Sequence, residues 1–142
     1  PVIVDPKGTN WEKYAQVDYI TPNLKEINAI LPEPIKNRDG AIETAARYAM
    51  QRFQLGHMLA TRSENGLSLV TDTEVTHIPT KAQEVFDVSG AGDTVIAVYA
   101  MGLAGGLKPA DSAYLANLAA SVVVAKLGTY AVSKEELLAA LK

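Results

Sequence analysis

Along this chain, short runs of β-branched and other apolar residues alternate with longer stretches whose apolar residues return every three or four positions. Val2–Val4 is the first short run and closes at Asp5-Pro6, where the proline discourages continuation. Tyr19–Thr21 is the second, stopped by Pro22. Asn23 is placed to cap a helix over Leu24–Leu31, ahead of a loop marked by Pro32 and Pro34. A longer helix, with Asp39 as its cap, runs to about Leu55 and carries Ile42, Ala45, Ala46, Ala49, Met50 and Phe53 on one side. Met58–Thr61, Gly66–Val70 and Val75–Ile78 read as strands, the last two parted by the turn Thr71-Asp72-Thr73. From Gly90 the pattern turns helical. The stretch after Gly92 is apolar nearly all round, which predicts a buried helix. Pro109 suits the first position of a further helix ended by Gly128, and Ser133 with Glu136 forms a capping box for the last one. Trp11 and Tyr14 fit an amphipathic turn as packing residues. Strands joined by helices predict an α/β layered fold with a parallel sheet covered on its faces.

Composition narrows the class without changing that picture. The 142 residues are 48% apolar and 20% charged, ordinary for a globular domain. A net charge of −3 supplies no basic field, so no nucleic-acid and no membrane partner is expected. The absence of cysteine excludes disulfides, thiolate catalysis and cysteine-ligated metals. These features point to a soluble, cytoplasmic protein. The chain opens at Pro1, in the approach to a strand and without a start methionine, and therefore reads as a fragment of a longer polypeptide.

The chemistry concentrates in Asp87-Val88-Ser89-Gly90-Ala91-Gly92-Asp93-Thr94. Three small residues stand where a loop becomes a helix, so backbone can approach a ligand closely and aim several N–H groups at one point. Free N–H groups at a helix start favour an anion. An aspartate in that first turn lies beside it, as phosphoryl transfer requires of a group that takes the attacking hydroxyl's proton. Gly-x-Gly before a helix also occurs as a tight turn with no ligand. A dinucleotide-binding fingerprint fails for want of its third glycine, and nothing matches a P-loop.

Asp87–Asp93 resembles the D-(T/S)-x-G-A-G-D signature of the ribokinase/PfkB carbohydrate kinases, with Val88-Ser89 in its variable pair. The resemblance implies a ribokinase-like fold, of which the chain would be the C-terminal, nucleotide-binding half. It also implies an anion hole of Gly90, Ala91 and Gly92, with Asp93 as catalytic base. Asn23-Leu24-Lys25-Glu26 is similar to the family's N-x-x-E motif. That implies ATP and Mg²⁺, with Asn23 and Glu26 acting on the ion through water and Lys25 touching phosphate. Thr61-Arg62-Ser63-Glu64-Asn65-Gly66 stands in the place of the T-x-G-x-x-G nucleotide loop, making Thr61, Arg62, Glu64 and Gly66 nucleotide candidates; Ser63 replaces the middle glycine. Ala116–Ala120 resembles the helix packed on adenine, with Asn117 at its edge. Asp87, Ser89 and Gly128 match the neighbourhood of the family's monovalent-cation loop, implying K⁺. Asp5 and Lys7, just past a strand end, are further phosphate candidates.

Val4-Asp5-Pro6-Lys7-Gly8-Thr9 and the segments at 21–26, 61–66 and 87–96 together look like the heptose 7-phosphate kinases of that family. This implies ATP and a sugar phosphate as partners, an anomeric hydroxyl as acceptor, and a homo-oligomeric parent. Another sugar acceptor and a nonenzymatic nucleotide-binding module are the alternatives. The H-x-G-H motif of the nucleotidyltransferase that can accompany such kinases is missing, and His57 and His77 are isolated in the sequence, which favours structural roles.

Overall fold

The computed structural model describes residues 1–82 and 84–142, and the chain divides into two compact units, Pro1–His77 and Ile78–Lys142. Five strands form one sheet in sequence order: β1 (Ile3–Val4), β2 (Tyr19–Ile20), β3 (His57–Thr61), β4 (Leu67–Val70) and β5 (Val75–Ile78). The first unit also carries helices α1 (Leu24–Ile30) and α2 (Asp39–Phe53). The second holds α3 (Ala91–Ala104), α4 (Pro109–Val124) and α5 (Lys134–Ala140).

The sheet is mixed, not wholly parallel. β1 pairs parallel with β2, and β2 with β3, but β4 runs antiparallel to β3 with Met58 opposite Val70 and Thr61 opposite Leu67. A parallel return needs a crossover of about a dozen residues. The connection 62–66 is far too short for one, so a hairpin was the accessible topology.

The apolar side of α2 behaves as its periodicity predicts. Ile42, Ala45, Ala46, Ala49 and Phe53 are buried with Trp11, Ile20, Ile27, Met58, Ala60 and Val70 in one core. Trp11 and Phe53 meet at 5.8 Å between ring centroids. The helix begins differently from expectation. Arg38 occupies the cap position without a side-chain bond, and Asp39 is the first helical residue. Its carboxylate is spent elsewhere, on Arg62.

In the second unit, α3 and α4 lie close because Gly102 leaves room for Ser112. A Cβ at Gly102 would sit 2.6 Å from Ser112 Oγ and 3.2 Å from its Cα. The helix α3 is not buried all round. Val95, Val98, Tyr99 and Gly102 face inward, while Ala97, Met101 and Ala104 form an exposed stripe. The α4 helix ends at Val124, before the predicted Gly128, and Ser133 and Glu136 complete their capping box at α5.

Candidate functional site

The candidate residues of the first unit collect at the C-terminal ends of its parallel strands, the place where open α/β sheets take ligands. Asp5 follows β1, Asn23 to Glu26 follow β2, and Thr61 ends β3. A parallel bridge joins Asn23 to Thr61, and the Thr61 N–H donates to the Pro22 carbonyl at 2.9 Å. The N-x-x-E segment and the 61–66 loop are thereby neighbours by main-chain pairing.

Asn23 and Glu26 cap α1 reciprocally. The Glu26 N–H donates to Asn23 Oδ1 at 2.8 Å, and the Asn23 N–H donates to Glu26 Oε2 at 2.8 Å. The three-residue interval is that of a capping box. The spacing of Asn23 and Glu26 in the sequence carries this signal. Glu26 Oε1 lies 3.7 Å from Lys7 Nζ, which also donates to Asp5 Oδ2 at 3.0 Å. The bond that Lys7 donates to Asp5 and the charge of Asp5, with Glu26 adding less, hold the Lys7 ammonium above its ordinary pKa. Two carboxylates therefore converge on one cation. This oxygen-donor set suits Mg²⁺, which keeps several waters and takes one or two protein carboxylates plus phosphate. No cluster of three or more His, Cys, Asp or Glu suited to a metal occurs among the described residues. Lys25 is exposed on the first turn of α1.

The loop after β3 is a 3-10 turn, Ser63–Asn65, in which Glu64 is exposed. Ser63 has φ of 50° and Gly66 has φ of 78°. Both are left-handed, a region in which glycine is at ease and other residues are uncommon. The residue that replaces the expected glycine thus retains a glycine-like backbone. Arg62 points inward, with its side chain 2% exposed, and donates to Asn37, Asp39 and Ser68. His77 accompanies them, its Nδ1 within 2.8 Å of Ser68 Oγ. Sequence reasoning had no signal for this cluster, whose members are spread from residue 37 to residue 77. His57, with its ring 5.1 Å from that of Tyr19 and Nδ1 3.5 Å from Asp72, also has structural contacts.

The second unit holds the loop–helix candidate. Gly90 stands at the N-terminal cap of α3 with φ of 77°, and Ala91, Gly92 and Asp93 are the first helical residues. The start of a helix leaves its first N–H groups without intrahelical acceptors. A Cβ placed on Gly92 would meet nothing within 4 Å, and Asp93 is exposed in the same turn. The Ala91 N–H donates to the Val88 carbonyl at 3.2 Å, so small-residue backbone, the N–H groups of Gly92 and Asp93 and a carboxylate share one turn of helix. Immediately before it, Asp87 accepts from the Ser89 N–H at 2.8 Å and from the Gly128 N–H at 3.1 Å. The bonds with Ser89, reinforced by Gly128, lower the Asp87 pKa from its ordinary value. Asp87 thus touches both other cation-loop candidates. Asn117 is buried on α4, where its amide donates to the Pro79 carbonyl at 2.8 Å. No helix among the described residues is long and apolar enough to cross a membrane.

Comparison with known proteins places the chain in a family. The model of the pfkB family of carbohydrate kinases matches residues 1–136. The bifunctional protein HldE of Trichlorobacter lovleyi is 52% identical over 143 residues, covering 99% of this chain and 29% of the relative. HldE of Acidiphilium cryptum is 49% identical over 141 residues, with coverage of 99% and 29%. The chain thus spans about 29% of the length of these curated relatives. Among solved structures, Arabidopsis thaliana ribokinase complexed with ribose and ATP superposes with a TM-score of 0.90 at 25% identity, covering 100% of this chain and 47% of that one. Ribokinase from Thermotoga maritima gives a TM-score of 0.87 at 29% identity, covering 99% and 48%.

Proposed function

The chain belongs to the pfkB family of carbohydrate kinases, and from that premise we propose that it is the C-terminal, nucleotide-binding portion of a single sugar kinase domain in which Asp93 is the catalytic base. The observation that carries the reading is the first turn of α3. There Gly90 turns the chain, Gly92 leaves open space where a side chain would stand, and Asp93 is exposed in the same turn.

The Asp93 carboxylate accepts the proton of the acceptor hydroxyl as that oxygen attacks the γ-phosphorus of ATP, and ADP leaves. The N–H groups of the Gly90–Gly92 turn stabilise charge on the transferring phosphoryl oxygens, a contribution that needs no rearrangement at the moment of reaction. Asp5 and Glu26, with Asn23 ordering the latter, are the groups suited to hold water-bound Mg²⁺. When bound, that ion neutralises charge on the β- and γ-phosphates. Thr61, Glu64 and Gly66 supply the nucleotide loop, Lys25 a phosphate contact, and the Asn117 region of α4 the adenine side. A K⁺ site beside Asp87, Ser89 and Gly128 belongs to the same proposal.

The acceptor we assign is heptose 7-phosphate, phosphorylated at its anomeric hydroxyl in the synthesis of ADP-heptose for the lipopolysaccharide core. The four sequence segments that resemble heptose kinases support this, as does the 52% identity to an HldE protein. The test is an assay of the full-length polypeptide carrying these residues, with ATP and a panel of sugars and sugar phosphates. Heptose 7-phosphate is expected to give the highest kcat/KM. A clear preference for another sugar would replace the acceptor while keeping the kinase, and ATP binding without transfer to any acceptor would leave a nucleotide-binding module.

A further inference from the structure

Arg62 lies inside the nucleotide loop, yet its side chain is turned away from solvent. Nε donates to Asn37 Oδ1 at 2.8 Å, and Nη1 donates to Asp39 Oδ1 at 2.6 Å and to Ser68 Oγ at 3.0 Å. A guanidinium buried to this degree is costly unless it is paired and hydrogen-bonded, and here it is both. Asn37 grips the same residue at its other end, since its Nδ2 donates to the Arg62 carbonyl at 3.0 Å. Asn65 closes the ring by donating from Nδ2 to the Asn37 carbonyl at 3.1 Å. Within the loop, the Arg62 N–H donates to the Gly66 carbonyl at 2.8 Å, and the Asn65 N–H to the Arg62 carbonyl at 2.9 Å.

Asn37 and Asp39, which precede and open α2, are thus stapled to the loop, Asn37 at both of its ends. The loop backbone so held includes Ser63 at φ of 50°, which an unrestrained serine seldom adopts. A glycine there would accept this backbone without help. Serine needs surroundings that hold it.

We propose that Arg62, Asn37 and Asp39 are positioning residues, a clamp built on a buried guanidinium that fixes the backbone of residues 62–66 and thereby sets affinity for an adenine nucleotide, with no contact between the Arg62 side chain and the nucleotide. The inference rests on the reading of 61–66 as the nucleotide loop. Asp39 is exposed over 64% of its side chain, but its carboxyl is held below its ordinary pKa chiefly by the hydrogen bond from Arg62. It is the accessible end of the clamp.

The experiment measures the KM for ATP, kcat, and the dissociation constant for a nonhydrolysable ATP analogue in the full-length polypeptide, for Asn37→Ala, Asp39→Asn and Arg62→Lys. The KM for ATP and the analogue's Kd should rise about tenfold or more, while kcat at saturating ATP and the acceptor KM stay within about twofold. Arg47→Ala is the control. It removes a guanidinium bonded to the Thr71 carbonyl in the same unit and should leave the KM for ATP unchanged. Variants that lose thermal stability but bind ATP as the parent does would reduce the cluster to packing and overturn the clamp alone. A parent that binds no adenine nucleotide would overturn the loop assignment and the clamp with it. Should Arg62→Lys fail to fold, Asp39→Asn at the exposed end gives the same readout.

Discussion

The polar groups at the strand ends of the first unit and those at the head of α3 in the second are deployed in opposite ways. At the strand ends nearly every charged or amide group is already engaged. Glu26 holds the Asn23 N–H, Lys7 lies between Asp5 and Glu26, and Arg62 is consumed by Asn37, Asp39 and Ser68. At the head of α3 the reverse holds, with an exposed Asp93 and open space at Gly92. Groups that must hold a geometry are tied to each other. On the proposed reading, the carboxylate that takes the proton is left exposed.

Breaking the exposed side should cost activity and almost no stability. Asp93→Asn is expected to lower kcat by about 10²–10⁴, the usual scale for a general base, with ATP binding and thermal stability unchanged. Near-normal turnover in a folded variant would remove Asp93 from the mechanism. Gly92→Val should lower kcat by about 10²–10³, comparable to losing one donor of an oxyanion-type hole. Because no atom lies within 4 Å of the added Cβ, its melting temperature should match the parent's. Gly102→Val on the same helix inverts the pattern. Its Cβ would fall 2.6 Å from Ser112 Oγ, so it should destabilise by about 1–3 kcal/mol through overpacking. Equal melting temperatures for the two valines would contradict the packing described for α3 and α4.

Smaller effects sharpen the tied side. Glu26→Gln keeps an acceptor for the Asn23 N–H, because glutamine also completes a capping box. Stability should therefore hold while the Mg²⁺ concentration for half-maximal rate rises several-fold. An unchanged magnesium titration would leave Glu26 as a cap alone. Asp87 gives a pH signature. Its pKa lies below the ordinary aspartate value of about 3.9 because it accepts from Ser89 and Gly128. Its contribution is thus present in full above about pH 4 and is lost as pH falls through the lower folded value, where the unfolded chain already binds the proton. Asp87→Asn should narrow the gap in melting temperature between pH 7 and pH 3. An unaltered gap would mean these bonds add nothing to folding.

Much of this was legible in the sequence because it is local. The α2 core face, the Ser133–Glu136 box and the Gly90–Asp93 turn are set by spacing and residue type within one or two helical turns. What escaped depends on partners distant in sequence. The direction of β4 was readable from the shortness of 62–66, but strand patterning alone does not distinguish the two senses. Asp39 looked like a helix cap because aspartate commonly is one. Only the fold reveals Arg62, 23 residues further on, as its partner. The exposed stripe on α3 could not be told from a buried one, since alanine and methionine suit either side.

The Asp87 carboxylate also has a consequence for chain topology. By accepting from residues 2 and 41 positions ahead, it sews the entrance of α3 to the exit of α4. The seam is doubled by the Phe86 N–H donating to the Val124 carbonyl at 2.8 Å. The two helices and the bend between them thus form a drawn loop, tied at the end that carries Asp93 and turned at Gly105–Leu107, whose N–H groups donate to the Met101, Leu103 and Gly102 carbonyls. Lengthening the bend adds little closure entropy, because the cost grows only with the logarithm of loop length. Residues added after Gly106, whose φ of 87° calls for keeping the glycine itself, would extend the far bend and leave the stitched end in register.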